Sequence, residues 1–233
     1  MTTKHNTVEE RILATLAERV SPNHSALLII DMQKDFCVDG YAASQAGRPL
    51  GAVQAMIPAL AETLERARER GVLVCHVGFL TLQHHFSDTA PWLSQRRRST
   101  YASDRIAMQG SDGADFIDAL SPREDEIEIR KHRYSAFKGT NLDMVLRANG
   151  IKTVIPVGVS TNVCVESTIR DAFELGYYVC VPGNLCASWD TELHNATLKN
   201  VNARFGLVCD QASLLNAWEI QPRQPHTQPQ ELI

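Results

Sequence analysis

The sequence predicts an α/β fold of three layers, with helices on both faces of a six-stranded, mostly parallel sheet. Three observations carry that prediction: short runs rich in Val, Ile and Leu recur along the chain, stretches with helical spacing separate them, and glycines close several of those stretches. Runs that are apolar at nearly every position belong to strands covered on both faces, and the helices between them supply right-handed crossovers.

Residues 7–20 place Val8, Ile12, Leu13 and Leu16 on one side, which predicts an N-terminal helix packed on the domain or on a neighbouring subunit. Ser25 to Ile30 is the first strand. A helix is expected from Leu50 to Arg70, where Val53, Met56, Ile57, Leu60, Leu64 and Ala67 recur at helical spacing and Gly71 supplies the stop. Val72 to Val77 is the second strand. The stretch 78–111 is polar with little periodicity, and a loop of that length in a compact domain is usually functional, which suggests a lid. A short helix is expected near 112–120, then a third strand from Glu126 to Arg130 and a helix over 141–149. Thr153 to Val159 reads as a central strand, followed by a helix that begins at Cys164 and ends before Gly176. Tyr177 to Val181 is the fifth strand, 191–204 a helix, Leu207 to Cys209 the sixth strand and 212–218 a last short helix. Residues 1–220 read as a single domain, and the Pro- and Gln-rich segment 221–233 cannot fold by itself.

The composition narrows the partners. A net charge of -4, from 23 basic and 27 acidic residues, lacks the basic excess expected for a nucleic acid or an acidic membrane surface, so a small molecule is the expected partner. The first residues lack the apolar core of a signal peptide, and no segment has the apolar length to span a bilayer, which predicts a cytoplasmic protein. Six cysteines without C-x-x-C spacing argue against a zinc knuckle or a disulfide framework and predict free thiols.

In doubly wound sheets the site lies beyond the carboxyl ends of the strands. Three chemically complementary residues fall there: Asp31 after the first strand, Lys131 after the third and Cys164 after the fourth. A strand-end carboxylate is often a cap, a lone Lys is usually solvated and a lone Cys is usually core. Their joint placement points to catalysis. At a helix start, unpaired N–H groups and the macrodipole are expected to lower the Cys164 pKa. Gln33, Phe36, Arg133, Tyr134 and Phe137 flank these residues and are candidate substrate contacts. Arg133 offers a fork for a planar oxygen pair, with a surface salt bridge as the equal alternative. The run from Gln95 to Arg98, within the suggested lid, reads first as a solvated face, with attraction of an anionic substrate as the alternative. His84 and His85, adjacent in a polar loop, read as exposed side chains, and no metal site is predicted.

Asp31, the segment from Lys131 to Phe137 (KHRYSAF) and the segment from Gly158 to Thr168 (GVSTNVCVEST) resemble the isochorismatase-like cysteine hydrolases, over about Ser25 to Trp218. The resemblance implies a Rossmann-like fold and a triad of Asp31, Lys131 and Cys164. It also implies a cis peptide at Val159-Ser160 that turns the N–H groups of Ser160 and Cys164 toward one oxyanion. Within the family these segments look closest to ureidoacrylate amidohydrolases, with N-carbamoylsarcosine amidase and biuret hydrolase as relatives. The expected activity is therefore cleavage of a C–N bond in a small ureido or carbamoyl compound, with release of ammonia through a Cys thioester and with no cofactor. A homodimer or homotetramer is expected by the same resemblance. The region after the second strand departs from the Asp-x-His metal pattern of nicotinamidases. Alternatives are hydrolysis of a simple carboxamide, isochorismatase-type cleavage of a vinyl ether, which needs no thiol, and a catalytically silent binding module. A nucleotide-binding reading fails at Asp31 to Asp35 (DMQKD), where a Gly-rich phosphate cradle would be needed.

Overall fold

The structure, a computed structural model, describes residues 12–98 and 104–220. Among the described residues seven parallel strands form one sheet: β1 (Ser25–Ile30), β2 (Leu73–Phe79), β3 (Ile127–Lys131), β4 (Thr153–Val159), β5 (Tyr178–Pro182), β6 (Cys186–Ala187) and β7 (Leu207–Cys209). The order is β3-β2-β1-β4-β5-β7, with β6 paired to the end of β4. The sheet thus has one strand more than the six expected. A two-residue strand is too short to show any period.

Every residue of β1 and β4 is buried, as expected for strands covered on both faces. Alternate side chains of β1 feed two separate cores. Leu27 and Ile29 pack with α4 (Gly51–Arg70) and α9 (Gln211–Glu219), while Ala26, Leu28 and Ile30 pack with α6 (Leu142–Ala148), α7 (Glu166–Glu174) and α8 (Thr191–Arg204). β1 and β4 approach so closely that a Cβ on Gly158, which sits at φ +107°, would run into the Ile30 carbonyl.

Two expected helices are corrected. Of the helix expected over 7–20, residues 7–11 lie outside the described residues, and among the rest only α1 (Leu16–Arg19) is helical. Thr15 starts it with a capping box to Glu18, so the helix begins only at Leu16, and it ends at Arg19, one residue before the expected end. The helix expected near 112–120 is two single 3₁₀ turns, Asp112–Ala114 and Asp118–Leu120, separated by extended residues. The stretch read as a loop, 78–111, carries α5 (Ala90–Arg98), and its ends are tied together by the bridge between Thr81 and Met108. Among the described residues no helix is long and apolar enough to cross a membrane.

A half-buried ion cluster fastens the sheet edge to α4. Arg68 donates to both oxygens of Glu126 at 2.7 and 2.8 Å, and His76 Nε2 lies 3.0 Å from Glu126 Oε2. Burial alone would raise the Glu126 pKa, but Arg68, the Arg123 N–H and His76 together pull it from 4.5 down to about 2. Burial holds the His76 pKa below the ordinary histidine value against the pull of Glu126. Both folded values lie below the unfolded ones, so both contributions are present at neutral pH and are lost on acidification. The His76 share goes first, as pH falls below about 6.5, and the Glu126 share follows between about 4.5 and about 2. Urea unfolding at pH 7 and pH 3 should show this loss in the wild type and a smaller one in Glu126→Gln, which starts less stable. Equal losses would contradict the assignment.

Candidate active site

β1 and β4 are neighbours at the point where strand order reverses, and the chain leaving each of them enters the same crevice. Asp31 follows β1 directly, with φ at 53°, a left-handed conformation that Asp tolerates better than most residues. Its N–H is held by the Val77 carbonyl at 2.7 Å. Lys131 ends β3, and its Nζ reaches Asp31 Oδ2 at 2.8 Å, with both side chains 1% exposed or less. The ammonium also lies 5.0 Å from the centroid of the Phe79 ring. Among the described residues Asp31 Oδ1 has no well-aligned donor, and it remains available to the thiol of Cys164, which interacts with both members of the pair.

Cys164 lies in a single π-helical turn, Thr161–Val165, between β4 and α7. The peptide between Val159 and Ser160 is cis. The Ser160 carbonyl accepts from the N–H groups of Val163 and Val165 at 3.1 and 3.2 Å, which folds the turn. Thr168 couples this turn to the segment carrying Lys131: its hydroxyl donates to the Cys164 carbonyl at 2.7 Å and accepts from the Ala136 N–H at 3.0 Å. On the other side, Ser188 donates to Asn162 Oδ1 at 2.6 Å and Thr161 Oγ1 lies 2.8 Å from His194 Nδ1.

Burial raises the Cys164 pKa, the Asp31 carboxylate raises it further, and Lys131 only partly offsets them. The expectation of a thiol acidified by a helix N-terminus is therefore corrected: desolvation outweighs the helix end, and the resting sulfur holds its proton. Burial likewise raises the Asp31 pKa against the pull of Lys131. Burial opposes the Lys131 charge, but Asp31 and Cys164 outweigh it and keep its pKa above the usual lysine value. A neutral thiol beside a buried ion pair is the arrangement that results.

Cys164, Ser160 and Asp31 open onto a cavity of about 600 Å³. An isochorismatase domain model matches residues 25–213. The chain belongs to the isochorismatase family. The ureidoacrylate amidohydrolase RutB of Acinetobacter baylyi is 30% identical over 216 residues, 87% of either chain. Among solved structures, an isochorismatase-like hydrolase from Alkaliphilus metalliredigens is 31% identical with a TM-score of 0.68, over 84% of this chain and 99% of its own. N-carbamoylsarcosine amidase from Thermoplasma acidophilum is 26% identical with a TM-score of 0.65, over 81% and 96%.

In this isochorismatase-family protein the expected substrate contacts divide. Phe36 and Tyr134 line the cavity; Gln33, Arg133 and Phe137 do not. Gln33 is fully buried and braces the end of β2, donating to the Phe79 and Ala114 carbonyls and accepting from the Phe79 N–H at 2.7 Å. Arg133 donates to the Ser87 and His132 carbonyls and stacks over Trp92, so it fastens the α5 segment away from the cavity wall, and it forms no salt bridge among the described residues. Phe137 stacks on Tyr177 and packs against the core on the α6 and α7 side of the sheet. Val159 is buried in β4 and contributes only backbone at this point.

Arg96, read as part of a solvated run, is 9% exposed and lines the cavity together with Gln95, while Arg97 and Arg98 are exposed. Sequence reasoning missed Arg48, Asn162, Ser188 and Trp189, all on the cavity wall. Asn162 was within reach, because it sits two residues before the nucleophile. Arg48 and Trp189 lie in irregular stretches that carry no periodic signal. His84 is exposed and His85 pairs with Asp88 at 2.8 Å. Among the described residues no group of three or more His, Cys, Asp or Glu is placed to hold a metal ion.

Proposed function

We propose that this protein is a thiol-dependent amidohydrolase that cleaves the C–N bond of a small ureido or carbamoyl compound and releases ammonia. The observation that supports this most is the buried Asp31–Lys131 pair set against Cys164 at the wall of a ligand-sized cavity. The names of the similar proteins point the same way: one acts on ureidoacrylate and one on N-carbamoylsarcosine.

Urea carbonyls are poor electrophiles, so cleavage needs a strong nucleophile, donors for the oxyanion and a proton for the departing nitrogen. Asp31 takes the Cys164 proton, a transfer that its burial-raised basicity favours, and Lys131 balances the charge that moves to sulfur. The thiolate bonds to the carbonyl carbon as the C=O pair moves to oxygen. The N–H groups of Ser160 and Cys164 hold that oxygen. When the C–N bond breaks, nitrogen takes the proton from Asp31 and leaves as ammonia. A water then gives its proton to Asp31 and attacks the thioester, the C–S bond breaks, and sulfur recovers the proton. A carbamate product loses carbon dioxide and leaves an amine. No step draws on an organic cofactor.

Ammonia release from a panel of ureidoacrylate, N-carbamoyl amino acids, biuret, guanylurea and simple carboxamides tests the reading. Turnover of a ureido or carbamoyl member is expected. Turnover of simple carboxamides alone, or of none, would overturn it.

A further inference from the structure

Asn162, the second residue of the π-helical turn that carries Cys164, lies half-buried on the cavity wall beside Ser188. Its carboxamide is held one way round. The buried Ser188 hydroxyl accepts from the Asp190 N–H at 3.3 Å and lies 2.6 Å from Asn162 Oδ1. That separation suits an O–H···O bond and falls below the roughly 2.7 Å at which N–H···O bonds begin, so the hydroxyl hydrogen points at the carboxamide oxygen. The amide nitrogen therefore faces away from Ser188. Among the described residues Nδ2 meets no acceptor, and it is not one of the buried atoms sealed off without a partner, so its hydrogens remain for a bound molecule.

The frame behind this group is anchored on both sides. Thr161 Oγ1, one residue earlier, lies 2.8 Å from His194 Nδ1, and Thr197 donates to Glu166 Oε2 at 2.6 Å just past the turn, so α8 grips the turn before and after Cys164. A donor fixed in advance loses little conformational freedom on binding. Its position also sets it apart from the ion pair. Ser188 follows β6, which pairs with β4 on the side opposite β1, whereas Asp31 and Lys131 lie at the ends of β1 and β3. Asn162 thus stands across the nucleophile from that pair, where a cavity of about 600 Å³ has room for substrate atoms beyond a bare urea.

We propose that Asn162 determines specificity by donating a hydrogen bond to a carbonyl-type oxygen on the end of the substrate remote from the scissile C–N bond. Acyl ureas and ureido acids carry such an oxygen; alkyl ureas do not. A neutral donor reads the oxygen whether it belongs to an amide or to a carboxylate, while hydrocarbon in its place leaves the amide hydrogens dehydrated and without an acceptor. The inference deepens the hydrolase reading and rests on it for which end of the substrate meets Cys164. Asn162 touches the substrate away from the reacting atoms, and Ser188 is a positioning residue that acts through it.

Calorimetric titration of the Cys164→Ala protein separates this inference from turnover. The ligands are N-carbamoyl-β-alanine, its neutral primary amide, and n-butylurea, which has hydrocarbon in place of the remote oxygen. The acid and the amide are each expected to bind about tenfold more tightly than n-butylurea. Asn162→Ala and Asn162→Asp in the same background should erase both preferences while n-butylurea binds as before; Asp keeps the shape and the Ser188 bond but turns an acceptor outward. Ser188→Ala should lose part of the preference, because the carboxamide can then rotate. Equal binding of the three ligands by the parent, or a preference that survives in Asn162→Ala, would overturn the assignment. So would a loss confined to the acid in Asn162→Asp, which is charge repulsion alone. A preference seen without ammonia release by the wild type would overturn the hydrolase reading and leave the Asn162 donor standing.

Discussion

Cys164→Ala is expected to lower ammonia release by about 10⁴-fold or more, because among the described residues no other thiol lines the cavity and none of its hydroxyls is set against the Asp31–Lys131 pair as the sulfur is. The loss should fall on kcat, since the binding surfaces contributed by Phe36, Tyr134, Asn162 and Trp189 are untouched. Cys164→Ser should also be severely impaired: a hydroxyl holds its proton far more tightly than a thiol, and Asp31 is no stronger a base than before. The side chain belongs to the core cluster on the α6 and α7 side but borders the cavity, so the unfolding midpoint should move only modestly in either variant. Full turnover in Cys164→Ala would remove the nucleophile from the scheme.

Lys131→Met is expected to cost about 3–5 kcal/mol of stability together with nearly all activity, because it leaves Asp31 buried without its partner. Asp31 would respond by binding a proton at neutral pH, and a protonated acid cannot accept one from Cys164. The double variant Asp31→Asn, Lys131→Met separates the two consequences. Replacing both charges removes the uncompensated carboxylate, so stability should recover toward the wild type in urea unfolding, while ammonia release stays absent. If Lys131→Met unfolded at the wild-type urea concentration, the pair would not be the buried ion pair described here. If the double variant regained turnover, the pair would be structural only.

Much of the fold was legible because β1 and β4 are buried along their whole length, and a run such as Thr153 to Val159 then announces itself by being apolar throughout. The strand-end rule located Asp31, Lys131 and Cys164, since it depends only on where a strand stops and not on where a side chain points. Side-chain direction is what failed for the neighbours. Lys131 is the last residue of β3, so the alternation that would have put Arg133 on the same face as Lys131 no longer applies once the chain turns away. Gln33 turns under the sheet to pair with the end of β2, a contact between residues 46 apart that no local pattern encodes. Arg48 and Trp189 meet only through tertiary packing. The thiol pKa was misread for a related reason: a helix start is visible in sequence, but the burial that outweighs it is a property of the assembled crevice.

The most direct measurement is the order in which the six cysteines react with iodoacetamide, read by peptide mass spectrometry with and without a ureido substrate. Cys209 is the only cysteine that is not buried, so exposure alone would have it react first. A cavity that admits small molecules and a carboxylate base beside the sulfur predict that Cys164 is alkylated first and that substrate protects it. First labelling at Cys209, with Cys164 unreactive or indifferent to substrate, would contradict a nucleophile assembled from Asp31, Lys131 and Cys164.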